Sequence, residues 1–180
     1  MSKDAFRSGM RRVSGAVTVV TTRGVNGELR GVTATAVCSL TVDPPAVIAC
    51  INRGTWVGQL APESGVFCVN VLSLDQTHVA EAFAGRTVHS GEERFKIGEW
   101  SDEETGAPVL NHAIASFDCE LDQAVEFATH VILIGHVKKT VVGPENTEPL
   151  LYVDGSFTTT AASPATPLPT VEPASRPLNT

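Results

Sequence analysis

The chain has 180 residues, 42% apolar and 18% charged, a composition of one globular domain able to bury a core and not of a disordered segment. Its net charge of −7, from 13 basic and 20 acidic side chains with no basic run beyond Arg11-Arg12 or Lys138-Lys139, argues against a nucleic-acid partner. No apolar run approaches the length of a membrane span, and the opening MSKDAFRSGMRR has no apolar stretch behind its basic residues, so no membrane contact and a cytoplasmic address are expected.

In chain order, Phe6, Met10 and Val13 follow Asp4 at helical spacing and predict a short amphipathic helix over 4–14 with Asp4 as its cap. AVTVVTTR (16–23) is β-branched, Asn26-Gly27 predicts a hairpin turn, and 29–40 predicts the returning strand, stopped by Asp43-Pro44-Pro45. AVIACI (46–51) and GVFCVNVL (65–72) are buried strands with one short helix between them. Ser73 and Gln76 have capping-box spacing ahead of a helix over 74–84 that ends at Gly85. Residues 86–112 predict an ordered, irregular excursion around Phe95 and Trp100.

From Ala115 the alternation puts Ala115, Phe117, Cys119 and Leu121 on one face, and Ser116, Asp118, Glu120 and Asp122 on the other, a face expected to be wet. HVILIGHV (130–137) and PLLYV (149–153) complete six or seven strands, largely antiparallel by their short connections. The fold class is mainly β, a closed or half-closed antiparallel barrel with a few short helices. The domain is expected over 1–160, and the Pro-rich stretch 161–180 reads as an extended tail.

Cys38, Cys50, Cys68 and Cys119 form no CxxC pair and read as buried reduced thiols. Without GxGxxG, GxxxxGK[ST] or GxSxG, the Rossmann, P-loop and α/β-hydrolase classes lose their main support. The five histidines show no HxH, HxxxH or HExxH spacing, so no metal is expected. His130 and His136 share a face of one strand if no bulge intervenes at Gly135. His130 is then either a hydrogen-bonded structural residue or the border of a ligand site. Thr33-Ala34-Thr35-Ala36, very small for a strand, reads either as tight barrel packing or as a groove cleared for a flat ligand.

TVVTT, GVTATAVCSLTVDPP, VIACINRGTWVGQL, FCVNVLSLDQ, FAGR with ERF after it, ATHVILIGHV and PLLYVDGSF occur here in one order. In that order and spacing the chain resembles, over about residues 5–158, the short-chain flavin reductases, the reductase components of two-component flavin-dependent monooxygenases. The resemblance implies an FMN-binding split β-barrel of Greek-key type that forms a homodimer. It implies hydride transfer from NADH or NADPH to FMN or FAD, and release of reduced flavin to a separate monooxygenase. By resemblance Thr33, Ala34, Thr35 and Ala36 line the flavin ring and ribityl chain, while Cys50, Asn52 and Thr55 hold the ribityl and phosphate end. Gly85 and Arg86, with Arg53 as a further candidate, serve the phosphate; His130 is the catalytic histidine beside the nicotinamide, and Tyr152 lies near the site. One departure is Ala128-Thr129-His130, where many relatives have Gly-Asp-His: either the Thr129 hydroxyl substitutes for the carboxylate, or the nicotinamide is held differently. A second is His136, where relatives often carry a carboxylate. Two other functions stay open: a flavin carrier or redox sensor without reductase activity, and a non-catalytic barrel acting through protein contact.

Overall fold

The computed structural model describes residues 2–160; the tail expected at 161–180 lies outside the described residues. The helices are α1 (Lys3–Arg11), α2 (Trp56–Ser64) and α3 (Thr77–Phe83). The strands are β1 (Gly15–Ala16), β2 (Thr18–Arg23), β3 (Leu29–Ala34), β4 (Val37–Val42), β5 (Pro45–Asn52), β6 (Val66–Val71), β7 (Trp100–Asp102), β8 (Pro108–Leu110), β9 (Ala115–Phe127), β10 (His130–Val142), β11 (Leu151–Val153) and β12 (Ser156–Thr158).

Seven strands form one antiparallel sheet in the order β3-β2-β6-β9-β10-β5-β4. Its two edges, β3 and β4, are consecutive in sequence and joined only by Thr35-Ala36. A sheet whose first and last strands are so tethered must curl until its edges come near each other, which makes it a barrel left unpaired between β3 and β4. The Cys50 N–H donates to the Ala36 carbonyl (2.9 Å), which carries the β4-β5 ladder one residue into that junction. Inside lie Val20, Val47, Ala49, Ile51, Phe67, Val69, Val131 and Leu133, with Val57 and Ala61 of α2 packed against them. Phe67 is fully buried and needs a glycine opposite, because a Cβ at Gly135 would stand 2.5 Å from its ring.

A second core lies between the barrel, α3 and the excursion: Val17, Val19, Leu72, Val79, Phe83, Leu110 and Leu150 are buried together. Phe83, Phe95 and Trp100 meet pairwise edge-on at 5.0–5.3 Å between centroids, which anchors the excursion at two of its aromatic residues.

Several expectations need correcting. The first helix is capped at Ser2, with Asp4 in its first turn, and ends at Arg11. The strand expected over 29–40 is two strands, and that over 16–23 breaks at Val17, whose N–H donates to Leu150 O (2.9 Å) while its carbonyl accepts from Leu72 N (3.0 Å). Beyond the seven barrel strands come β1, β11 and β12 in a small sheet and β7-β8 in a hairpin. The expected wet face of β9 is dry at Ser116 and Asp118, each 1% exposed, because the excursion covers it. Of the cysteines, Cys68 and Cys119 are buried, whereas Cys38 is exposed and Cys50 half-buried. Between 130 and 136, β10 pairs with β5 without interruption, so His130 and His136 share the outer face; the register shift at Gly135 falls in the β9 pairing.

Candidate functional site

On β3, Val32 and Ala34 pack toward the barrel core, and the alternation turns Thr33 and Thr35 outward. The α3 helix crosses this outer surface closely: a Cβ at Gly31 would sit 2.5 Å from the Phe83 ring, and the Thr33 hydroxyl donates to Ala80 O (2.7 Å). The Ser73/Gln76 capping box starts this helical segment. Gly85, at φ +73°, ends it in a Schellman turn, with Gly85 N–H donating to Ala82 O (3.1 Å) and Arg86 N–H to Glu81 O (3.0 Å). That turn returns Arg86 to β3. The β11-β12 hairpin supplies the facing wall through Tyr152 and Phe157, with ring centroids 5.7 Å apart.

These elements enclose a cavity of about 220 Å³ lined by Thr33, Ala34, Thr35, Arg86, Tyr152 and Phe157. Arg86 stands 5.7 Å over the Phe157 ring, a cation–π approach that aims its charge at the cavity. Among the described residues the Thr35 hydroxyl has no partner, whereas that of Thr33 is spent on α3. As an edge strand, β3 has one row of backbone N–H and C=O groups outside the ladder and within reach of a ligand.

Ala84 also borders a second cavity of about 330 Å³, lined by Arg30, Thr55, Trp56, Gly85, Ser90 and Arg94. Asn52, Arg53 and Thr129 lie on a third, wider depression of about 710 Å³. His130 stands at its edge, exposed, paired in register with Asn52, and its Nδ1 is 2.9 Å from the Thr129 hydroxyl. Ala36 and Cys50 line none of the three; they pair with each other at the end of the β4-β5 ladder. A fourth cavity of about 320 Å³, largely apolar and bordered by Val37, Thr41, Phe117 and Val137, holds none of the expected residues.

Three expected phosphate donors are already engaged. The Thr55 hydroxyl donates to Asn52 O (2.8 Å) and accepts from Gly58 N (3.1 Å) as the cap of α2. Asn52 Oδ1 accepts from Gly54 N (2.8 Å), and Arg53 pairs with Glu126 at 3.0 Å. Arg86 is the cation that faces the cavity. Sequence reasoning did not single out Phe157, although the quoted stretch PLLYVDGSF contains it, and it passed over Arg30, Trp56 and Arg94. Nothing local marks those three, because three separate segments bring them together.

The flavin reductase-like domain profile matches residues 10–161. An FMN reductase (NADH), RutF, from Ancylobacter novellus is 37% identical over 164 residues, 91% of this chain and 88% of that protein. Among solved structures, the NADH:FAD oxidoreductase of Streptomyces globisporus superposes with a TM-score of 0.80 at 28% identity, covering 90% of this chain and 95% of that one. BorF, the flavin reductase component of a bacterial two-component tryptophan halogenase, gives 0.79 at 29% identity, covering 88% and 98%.

Proposed function

The chain belongs to the flavin reductase-like domain family, and on that premise we propose that it moves a hydride from NADH or NADPH to FMN or FAD and releases reduced flavin to a separate monooxygenase. The convergence of the unpartnered Thr35 hydroxyl, the free edge of β3 and Arg86 on one cavity carries this proposal. The residues fit the group: a flat ring with a polar rim needs short side chains and reachable backbone groups, and a phosphate needs an unengaged cation. Thr35 and the β3 edge would hold the ring, Tyr152 and Phe157 would exclude water, and Arg86 would bind the phosphate end. Bound there, flavin supplies the hydride acceptor, so the protein needs no nucleophile or strong acid; it orients the two reactants. His130 would position the nicotinamide, with its ring direction set by Thr129 in place of a carboxylate.

A homodimer belongs to the same proposal. Across β9, β10 and β5 the register aligns Val125, Ile132 and Cys50 in one outer row and Phe127, His130 and Asn52 in the next. Val125 is 44% and Phe127 75% exposed, so a second copy seated here would cover apolar surface and border His130. Four free thiols accord with a cytoplasmic, reducing setting. Among the described residues no helix is long and apolar enough to cross a membrane.

The test is nicotinamide absorbance after mixing protein, NADH and free flavin, repeated with NADPH and with each flavin. Turnover that requires added flavin is expected; flavin-independent oxidation, or none with either flavin, refutes the proposal. Because His130 has no carboxylate partner among the described residues, a second reading has support: a retained yellow colour without nicotinamide turnover would make the protein a flavin carrier.

A further inference from the structure

The second cavity shares Ala84 with the first, and we propose that this second cavity binds an adenosine 5′-phosphate group. The proposal rests on the flavin reductase reading only for the source of that group, since FAD and a nicotinamide dinucleotide each carry one.

Trp56 opens α2 as a residue 62% exposed, and the Arg30 guanidinium stands 5.5 Å over its ring. A cation fixed over an otherwise exposed indole makes a flat platform that a purine can extend by stacking, a contact indifferent to the base's hydrogen-bonding edge. Arg30 is itself unfinished. Its terminal nitrogen donates to Leu29 O (2.8 Å) and lies 3.7 Å from Glu92, but its Nε is buried without a partner among the described residues. Buried N–H groups are seldom left unpaired, so an acceptor from outside, a ring nitrogen or a phosphate oxygen, would complete it.

The charge of the lining points the same way. Glu92 offsets Arg30 from outside the cavity, which leaves Arg94 in the lining, and among the described residues no acidic side chain borders the space. Arg94 uses its Nε on His89 O (3.3 Å), and its terminal nitrogen lies 3.6 Å from where a side chain on Gly85 would begin. In a chain of net charge −7, Arg30 and Arg94 line this cavity and Arg86 lines the one that shares Ala84 with it. Gly85 and Gly91, at φ +73° and +54°, add two stretches of wall without side chains, where a ligand can come close to backbone. The volume of about 330 Å³ falls within the ~300–1,000 Å³ of small-ligand sites.

The experiment titrates 5′-AMP, FMN and FAD into the full chain and into Trp56→Ala, Trp56→Phe and Arg30→Ala, and measures KM for NADH with FMN as acceptor. Thermal melts check that each variant is folded, as the exposure of Trp56 predicts. Trp56→Ala is expected to weaken 5′-AMP by about tenfold or more, the scale of a lost base-on-aromatic stack, while Trp56→Phe keeps most of the affinity and FMN binding stays unchanged. A parallel loss for FAD names FAD as the source; a raised KM for NADH with FAD affinity intact names the dinucleotide. Equal 5′-AMP affinity in wild type and Trp56→Ala overturns the proposal. So does absence of 5′-AMP binding together with unaltered FAD affinity and NADH KM. If no flavin binds while the 5′-AMP result holds, the proposed function falls and this site stands.

Discussion

Thr33 and Thr35 look equivalent in the sequence, two hydroxyls on the same face of a strand, but the fold divides their tasks. Thr33 donates a hydrogen bond to Ala80 and holds α3 on the barrel, whereas the Thr35 hydroxyl borders the cavity with no partner among the described residues. Thr33→Val is therefore expected to cost about 1 kcal/mol of unfolding free energy, the net worth of one hydrogen bond. Thr35→Val is expected to leave stability unchanged and to weaken flavin binding by about five- to tenfold, the same energy expressed as affinity. Urea unfolding and flavin titration on both variants check this; reversed effects would exchange the two roles. The cluster of small residues was legible because side-chain size is a local property. Which hydroxyl is free was not, since it depends on a helix 47 residues away. Arg53 and Arg86 were likewise indistinguishable until Glu126 was seen to pair with the first.

At the scale of elements, the capping box at Ser73 and the glycine at 85 could be read directly, because caps and left-handed turns are written in adjacent residues. The buried face of β9 could not be read that way. Ser116 and Asp118 alternate as solvent-facing residues do, but the excursion folds over this face, and the hydroxyl of one is satisfied by β6 and the carboxylate of the other by the excursion. Ser116 donates to Asn70 Oδ1 (2.9 Å), while Thr105 donates to Asp118 through its backbone N–H (2.8 Å) and its hydroxyl. Burial pushes the Asp118 carboxyl above its usual 3.8, with the Thr105 donors opposing, and burial beside Asp118 carries Cys119 to about 12. A carboxyl raised by folding binds its proton more tightly in the native state. Its contribution to stability therefore falls as pH climbs from the ordinary carboxylate value through the raised one, and is level above. Urea midpoints measured from roughly pH 3 to 8 should show this decline in wild type and lose it in Asp118→Asn. An unchanged profile in the variant would assign the slope to other carboxylates.

For the whole molecule, the sequence indicated an antiparallel barrel because short connections and β-branched runs leave few alternatives. It did not indicate that the barrel closes at Thr35-Ala36, since closure belongs to the order of all seven strands. Nor did it show how much apolar surface stays outside: Leu40, Val42, Val125 and Phe127 are 44–86% exposed. A homodimer would account for that surface, and Ile134→Glu, at the centre of the β10 outer face, is expected to shift the species in sedimentation velocity from twice the chain mass to one. A wild-type monomer at micromolar concentration would leave the exposed strands to another partner.

The two-residue junction that shuts the cylinder is also continuous with the floor on which a ligand would lie. Lengthening side chains there to suit a different guest would pry the seam apart. Adaptation to new cofactors is thereby steered to the opposite bank, the end of α3 and the terminal hairpin, where changes leave the staves in place.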